Sequence, residues 1–339
     1  MGAFLSTLCT VYFGVAVVLP MMAAAVATKL ITLLPSLTDA QRCGYSLTVV
    51  QACWRLSLLP TPWIRTYAHG DFVATMRQFS LDVARRGRME GGARPVMLLG
   101  NHTSFLDTLL TVARLSAGAA YYSRTYMSAH LFKLPVLSTI CRACGHFSVD
   151  FKGSGDTDFR VDKEKMEQTQ RRVDAHIESG GLLCFFPEGA MNKDPSHIMP
   201  VRYGGMKKAL QFDAKMYVFV TNGCHVMWPR KAQISGRPGV ANYTIRCVAP
   251  EGAQALADKL RKLPGNTDKE DFELLSEHVR EIMQGSWDDM LVGASSIAKK
   301  KKKTSCRMLR AVRRFVVVVV VAPLHRYTHK VSHEFKLLF

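Results

Sequence analysis

The sequence predicts an α/β fold: a mixed central sheet flanked by helices, with a membrane-embedded helical segment at its amino terminus. Three observations carry this reading. Apolar runs of strand length, Val96-Met97-Leu98-Leu99-Gly100 and Leu182-Leu183-Cys184-Phe185-Phe186, each break off into a polar cluster, as the buried strands of a parallel sheet do. Segments with apolar residues at helical spacing lie between and after these runs. Residues 1–28 contain no charged side chain.

Taken in chain order, the first element is the apolar stretch from Val11 to Leu19, continued past Pro20 to Val26, which is long enough to span a bilayer. A cleaved signal peptide would carry a basic region ahead of its apolar core, and none precedes this one. Lys29, Arg42, Arg55 and Arg65 all follow it, so the positive-inside rule places the downstream domain in the cytosol. A second apolar stretch, residues 46–59, is interrupted by Arg55 and reads as an interfacial segment or a re-entrant hairpin partner. Residues 1–64 are therefore expected to anchor the chain in a membrane.

Residues 65–290 alternate as an α/β domain should. After the strand at 96–100, a helix is expected through Phe105, Leu109, Leu110 and Val112. Val161, Met166, Thr169, Val173 and Ile177 mark one face of a charged helix that ends at Gly180-Gly181, and a strand leads from there into Phe186. A helix over 205–212, strands over 216–221 and 243–248, and a covering helix through Phe272, Leu275, Val279 and Ile282 complete the domain. The segment 153–158 reads as a surface loop.

Composition narrows the function classes. A 339-residue chain that is 48% hydrophobic with a mean hydropathy near zero suits a globular domain with membrane-seeking segments and excludes a polytopic membrane protein. The net charge of +18 would suit nucleic acid, anionic lipid or a polyanionic substrate, and its distribution decides among them. Residues 299–314 hold nine basic side chains and no acidic one, and the valine-rich run 315–321 follows directly. That run is too short to span a membrane, yet it suits shallow insertion or a buried strand, and basic residues near an anionic leaflet contribute about 1 kcal/mol each. Residues 291–339 thus read as a membrane-surface tail, not a nucleic-acid arm. Nine cysteines, an odd number, make no disulfide framework and fit a reducing compartment. Cys141-Arg142-Ala143-Cys144 has no second pair at ligand spacing, so no metal is expected. The sequon Asn242-Tyr243-Thr244 is unused on a cytosolic domain.

The chemistry lies where the strands end, which is where open α/β sheets place their sites. Asn101-His102-Thr103-Ser104-Phe105-Leu106-Asp107 offers a histidine that a carboxylate could orient and support as imidazolium. Ser104 has no Gly-x-Ser-x-Gly elbow around it, so the nucleophile is assigned to a substrate hydroxyl that His102 deprotonates. The plainer reading is that Asn101 or Thr103 caps the following helix. On a continuous helix, residues five apart lie roughly 140° apart, so a working pair requires a non-helical first turn.

In order along the chain, His102-x-x-x-x-Asp107, Gly145-His146-Phe147-Ser148-Val149-Asp150 and Phe186-Pro187-Glu188-Gly189 resemble the motifs of the glycerophospholipid acyltransferases, of which the lysophosphatidate acyltransferases are the best known. The resemblance covers residues 95–250 and includes Lys133-Leu134-Pro135 and Arg202-Tyr203-Gly204-Gly205. It implies an acyltransferase domain at 65–290 with His102 as general base and Asp107 as its orienter. Acyl-CoA would be co-substrate, with neither metal nor cofactor. By the same resemblance Glu188 and Gly189 bind the acceptor's glycerol-phosphate part, Gly145 belongs to the substrate site, and Arg202 meets the phosphate. Two cations common in the family are absent: Ala190-Met191-Asn192 stands where Thr-Arg-Ser is frequent, and Phe151 follows Asp150 where arginine is frequent. Lys152, Lys193, Arg124 and Lys133 are the candidate replacements. The first acceptor expected is 1-acylglycerol-3-phosphate, giving phosphatidic acid. Cardiolipin or other lysophospholipid remodelling by (trans)acylation is the second expectation, and a non-catalytic lipid-binding membrane adaptor the reading from another class. The expected partners are the lysophospholipid, acyl-CoA and an anionic membrane surface, with no nucleic acid. The endoplasmic reticulum is the expected location, a mitochondrial membrane the next.

Overall fold

The computed structural model describes residues 2–149, 151–152, 160–161 and 163–301. The loop expected at 153–158 and the valine run of the tail lie outside the described residues. Met1–Met290 form one compact unit and Leu291–Phe339 a second.

Helices α1 (Gly2–Thr32) and α2 (Asp39–Leu58) lead into strand β1 (Ile64–Ala68) and helix α3 (Phe72–Gly87). Then come β2 (Val96–Gly100), α4 (Phe105–Arg114), α5 (Ala117–Tyr122), β3 (Ser123–Ser128), α6 (Pro135–Ala143) and β4 (Phe147–Val149). A two-residue pair, β5 (Phe151–Lys152) and β6 (Arg160–Val161), precedes α7 (Lys163–Glu178) and β7 (Leu182–Phe185). The chain continues through α8 (Tyr203–Gln211), β8 (Lys215–Asn222), α9 (Cys224–Met227), β9 (Gly239–Ala249), α10 (Ala253–Arg261) and α11 (Asp271–Lys301).

The seven-stranded sheet has the order β1-β9-β8-β2-β7-β3-β4. Strands β8, β2, β7, β3 and β4 run parallel, while β9 returns antiparallel on β8 with β1 parallel beside it. The sheet is therefore mixed, as the sequence predicts. All five residues of β2 are buried, which is why it reads as an unbroken apolar run with no alternation. Met97, Leu99, Leu183, Val218 and Val220 pack under α7, α8, α10 and the first part of α11, and Val96, Leu98, Leu182, Tyr217 and Phe219 pack under α1, α3, α4 and α9. From β2 the chain crosses to β3 on one side, and from β7 it crosses back over β2 to β8 on the other. This reversal puts the sheet's topological switch point at the carboxyl ends of β2, β7 and β8, where open α/β sheets place their sites.

Several elements differ from the expectation. The helix read as beginning at Val161 starts at Lys163, because Val161 pairs with Phe151 in the short ladder before it. Gly180 turns the chain at φ +89°, and a side-chain carbon on Gly181 would lie 2.1 Å from the His176 ring, so the glycine pair both ends α7 and lets β7 pass under it. The sequon asparagine, Asn242, is 7% exposed on β9 between two other strands, which closes it to glycosylation by burial alone.

The amino-terminal helices form a hairpin on the domain. Helix α1 is the one helix among the described residues long and apolar enough to cross a membrane. Its Phe13 is fully buried against Trp228, while Val11, Val15, Val18, Met22 and Val26, spaced three or four apart, stand exposed as one stripe. Arg55, which breaks the second apolar stretch, donates to the carbonyls of Ala113 (2.9 Å) and Leu115 (2.6 Å), and Gln51 donates to Leu115 O at 2.5 Å. These donors satisfy the otherwise open C-terminal carbonyls of α4, so α2 braces that helix from its far end.

Candidate active site

The loop from Asn101 to Ser104 leaves β2 extended, and α4 begins only at Phe105. The non-helical turn that a His102–Asp107 pair requires is therefore present. Ser104 is the N-cap, not Asn101 or Thr103: its Oγ accepts from Leu106 N at 3.0 Å and donates to Trp228 O at 2.7 Å. Fully buried and committed in this way, Ser104 is no nucleophile.

Asp107 closes the cap and faces the histidine with one carboxylate. Its Oδ2 accepts the main-chain N–H groups of Thr103 (2.5 Å) and Ser104 (2.7 Å), and lies 3.7 Å from His102 Nδ1. Its Oδ1 accepts from Thr221 Oγ1 at 3.0 Å. The carboxylate is fully buried, so every donor around it is held in a medium where charge interactions are strong. One carboxylate thus both closes the cap and faces His102, so the capping geometry leaves the catalytic reading open.

Thr221 reaches Asp107 through a clamp that no local pattern announces. The Asn101 side chain continues the β2–β8 ladder past Gly100: its Oδ1 accepts the Thr221 N–H at 2.8 Å and its Nδ2 donates to Thr221 O at 2.9 Å. Gly223, at φ +92°, then turns the chain so that the buried Cys224 thiol lies against Asp107. Burial first, and the Asp107 charge second, push that thiol well up from its ordinary value, leaving it a protonated neighbour.

The second motif wraps His102. The Phe186 ring stacks on the imidazole at 4.1 Å between centroids and 11° between planes. Glu188 Oε1 accepts the His102 N–H at 2.8 Å, and its Oε2 accepts from Met199 N (3.0 Å) and Asn192 Nδ2 (3.1 Å). The Asn192 N–H donates to His102 O at 2.6 Å. Burial raises the Glu188 carboxyl above its usual range, against the lowering effect of the His102 and Met199 N–H groups. His102 Nδ1 is buried without a hydrogen-bond partner among the described residues, and the Asp107 carboxylate faces it at 3.7 Å.

The remaining expected residues are distributed unevenly. Gly189, at φ +76°, lies under the exposed Arg202 side chain: an added carbon there would stand 3.2 Å from Arg202 Cγ. Arg202 N donates to Pro187 O at 2.8 Å, which fixes this cation beside the motif. Lys133 is exposed just beyond the carboxyl end of β3, on the same edge of the sheet as His102. Lys193 is exposed in the loop after Gly189. Arg124 is elsewhere: its register with Leu183, and of Leu183 with Met97, places it five residues below His102 along the strands, about 16 Å at ~3.3 Å per residue. There it packs on Gly145, whose added carbon would sit 3.2 Å from the guanidinium and 2.9 Å from Cys43 Sγ. Gly145 and Arg124 are thus brought together, but apart from the histidine. The Lys152 side chain lies outside the described residues. Sequence reading missed Thr221 and Asn192 as parts of the site. Asn192 was visible only as a departure from the resembled motif, and Thr221 carried no signal.

Residues 80–222 match the family model described as Acyltransferase. The fold is similar to that of the 1-acyl-sn-glycerophosphate (LPA) acyltransferase PlsC from Thermotoga maritima, with a TM-score of 0.58 and 14% identity over 86% of this chain and 98% of that one. No curated protein matches the chain.

Proposed function

We propose, from the match of residues 80–222 to the Acyltransferase family model, that the protein moves a fatty acyl group from acyl-CoA to the free hydroxyl of a lysophospholipid at a membrane surface, with 1-acylglycerol-3-phosphate as first acceptor. The observation that carries the reading is the buried Asp107 carboxylate 3.7 Å behind His102 Nδ1. With Nδ1 turned to Asp107, Nε2 is the nitrogen left to take the acceptor's hydroxyl proton as the oxygen attacks the thioester carbonyl. Collapse of the tetrahedral intermediate expels the thiolate, which recovers the proton from His102. Asp107 acts when the ring is cationic, in the transition state and the intermediate, so its attraction lowers the barrier without tightening the ground state. General-base assistance of this kind contributes roughly 10²–10⁴-fold.

Arg202 supports a phosphate-bearing acceptor, since it is an exposed guanidinium fixed beside Gly189. The exposed apolar stripe of α1 supports a membrane-bound state in which the acceptor's acyl chain stays in the lipid. The experiment is transfer from labelled acyl-CoA into a panel of lysophospholipids in vesicles, wild type beside His102→Ala, with acyl-phospholipids also offered as donors. Incorporation lost in the variant supports the mechanism; equal incorporation by both proteins refutes it.

A further inference from the structure

Three separate contacts from one loop converge on His102. Its N–H goes to Glu188, its carbonyl receives Asn192 N–H, and its ring lies on Phe186. Resting on the acyltransferase reading and deepening it, we propose that Glu188 and Asn192 are positioning residues for His102, not ligands of the acceptor.

Both side chains are buried and turned to partners inside the protein. Glu188 is 1% exposed, and its two oxygens take three protein donors. Three donors leave about one of its four acceptor sites, and burial keeps that one from a substrate hydroxyl. Asn192 is 3% exposed, and its amide is bonded at both ends: Nδ2 donates to Glu188 Oε2 (3.1 Å) and His197 O (2.7 Å), while Oδ1 accepts from Asp194 N at 2.9 Å. A serine hydroxyl has one proton to donate and cannot reproduce two donations and an acceptance. The asparagine therefore ties the loop's two ends together around Glu188, and its own main chain holds the histidine carbonyl. What the clamp fixes is the direction of the imidazole, which must stay within roughly 0.5 Å and 10–20° of the productive geometry.

The assignment separates two kinetic signatures. A ligand of the acceptor, when altered, raises the acceptor KM; a residue that only aims the base lowers kcat and leaves KM alone. A misplacement of about 1 Å costs on the order of 10²-fold. In the full-length protein in vesicles, with long-chain acyl-CoA and the best acceptor from the panel, Asn192→Asp and Glu188→Gln are expected to lower kcat by roughly 10–100-fold with both KM values within about twofold of wild type. Asn192→Asp sets a second carboxylate against Glu188; Asn192→Ser keeps the main-chain bond to His102 and gives a smaller shift in the same direction, should the first variant fail to fold. Amide hydrogen exchange provides a readout independent of turnover: residues 100–106 are expected to exchange faster in the variants, while β8 is unchanged. A raised acceptor KM with kcat preserved, or unaltered exchange at 100–106, overturns the assignment. If the wild type transfers no acyl group, the acyltransferase reading is what fails, and the exchange measurement alone decides whether the clamp exists.

Discussion

Replacing Asp107 by asparagine separates its two duties, because the amide can keep the cap but not the charge. The amide oxygen can accept the Thr103 and Ser104 N–H groups that now meet Oδ2 at 2.5 and 2.7 Å. Its Nδ2 can donate to Thr221 Oγ1, whose own proton then turns to Asn101 Oδ1 at 3.3 Å. Neutral hydrogen bonds are weaker than charge-assisted ones, so the fold is expected to lose about 1–2 kcal/mol. The reaction loses more. At the 3.7 Å separation of His102 Nδ1 and Asp107 Oδ2, an ion pair in a medium of effective dielectric constant ~20 is worth about 4 kcal/mol. That energy exists only while the imidazole is cationic, so it appears as a fall of about 10³ in kcat with little change in KM. Steady-state transfer kinetics measured beside urea denaturation of the same preparation check both halves. A kcat within tenfold of wild type would refute the pairing, and a stability loss above about 4 kcal/mol would refute the claim that the amide preserves the cap.

Two further outcomes follow from particular contacts. Thr221→Val removes the donor to Asp107 Oδ1 without changing shape, and a lost bond to a buried charge should cost about 2 kcal/mol of stability and roughly tenfold in kcat; Thr221→Ser should restore both, as denaturation and kinetics in parallel would show. Burial, with Arg124 adding to it, holds His176 neutral and lowers its pKa to about 4. The unfolded chain binds this proton near pH 6.5 and the folded chain does not, so stability is complete above about pH 6.5 and falls as the pH drops toward 4. The His176 contribution is about 3 kcal/mol, with about 2 kcal/mol gone by pH 5, and it should be absent from the pH dependence of His176→Phe.

The order of motifs, the strands that carry them and the character of the N-terminal helix were legible in the sequence because each is a local pattern. A strand buried on both faces must be apolar throughout, as β2 is, and α1 is apolar on the face it packs against the domain and on the exposed stripe opposite. Strands β1, β3 and β4 and helices α3, α5, α6 and α10 were not identified in advance. β3 shows why: its six residues, Ser123 to Ser128, are partly exposed and include Arg124, so neither alternation nor an apolar run marks them. The level of Arg124 was illegible for a related reason: strand register, which no local pattern records, sets it five residues below His102.

By itself the sequence determined the chemistry on offer: a histidine and a carboxylate at a strand end, a Phe-Pro-Glu-Gly turn at another, and an apolar helix at the amino terminus. It could not determine whether His102 and Asp107 were a helix cap or a working pair, because that depends on where α4 begins. The tertiary structure shows Asp107 both closing the cap and facing His102, and brings Thr221 from 114 residues away onto Asp107 and Glu188 from 86 residues away onto the His102 main chain. Such contacts are made by packing adjacent strands, β8 and β7 on either side of β2, and their partners are fixed by sheet order, which leaves no periodic trace in any one segment.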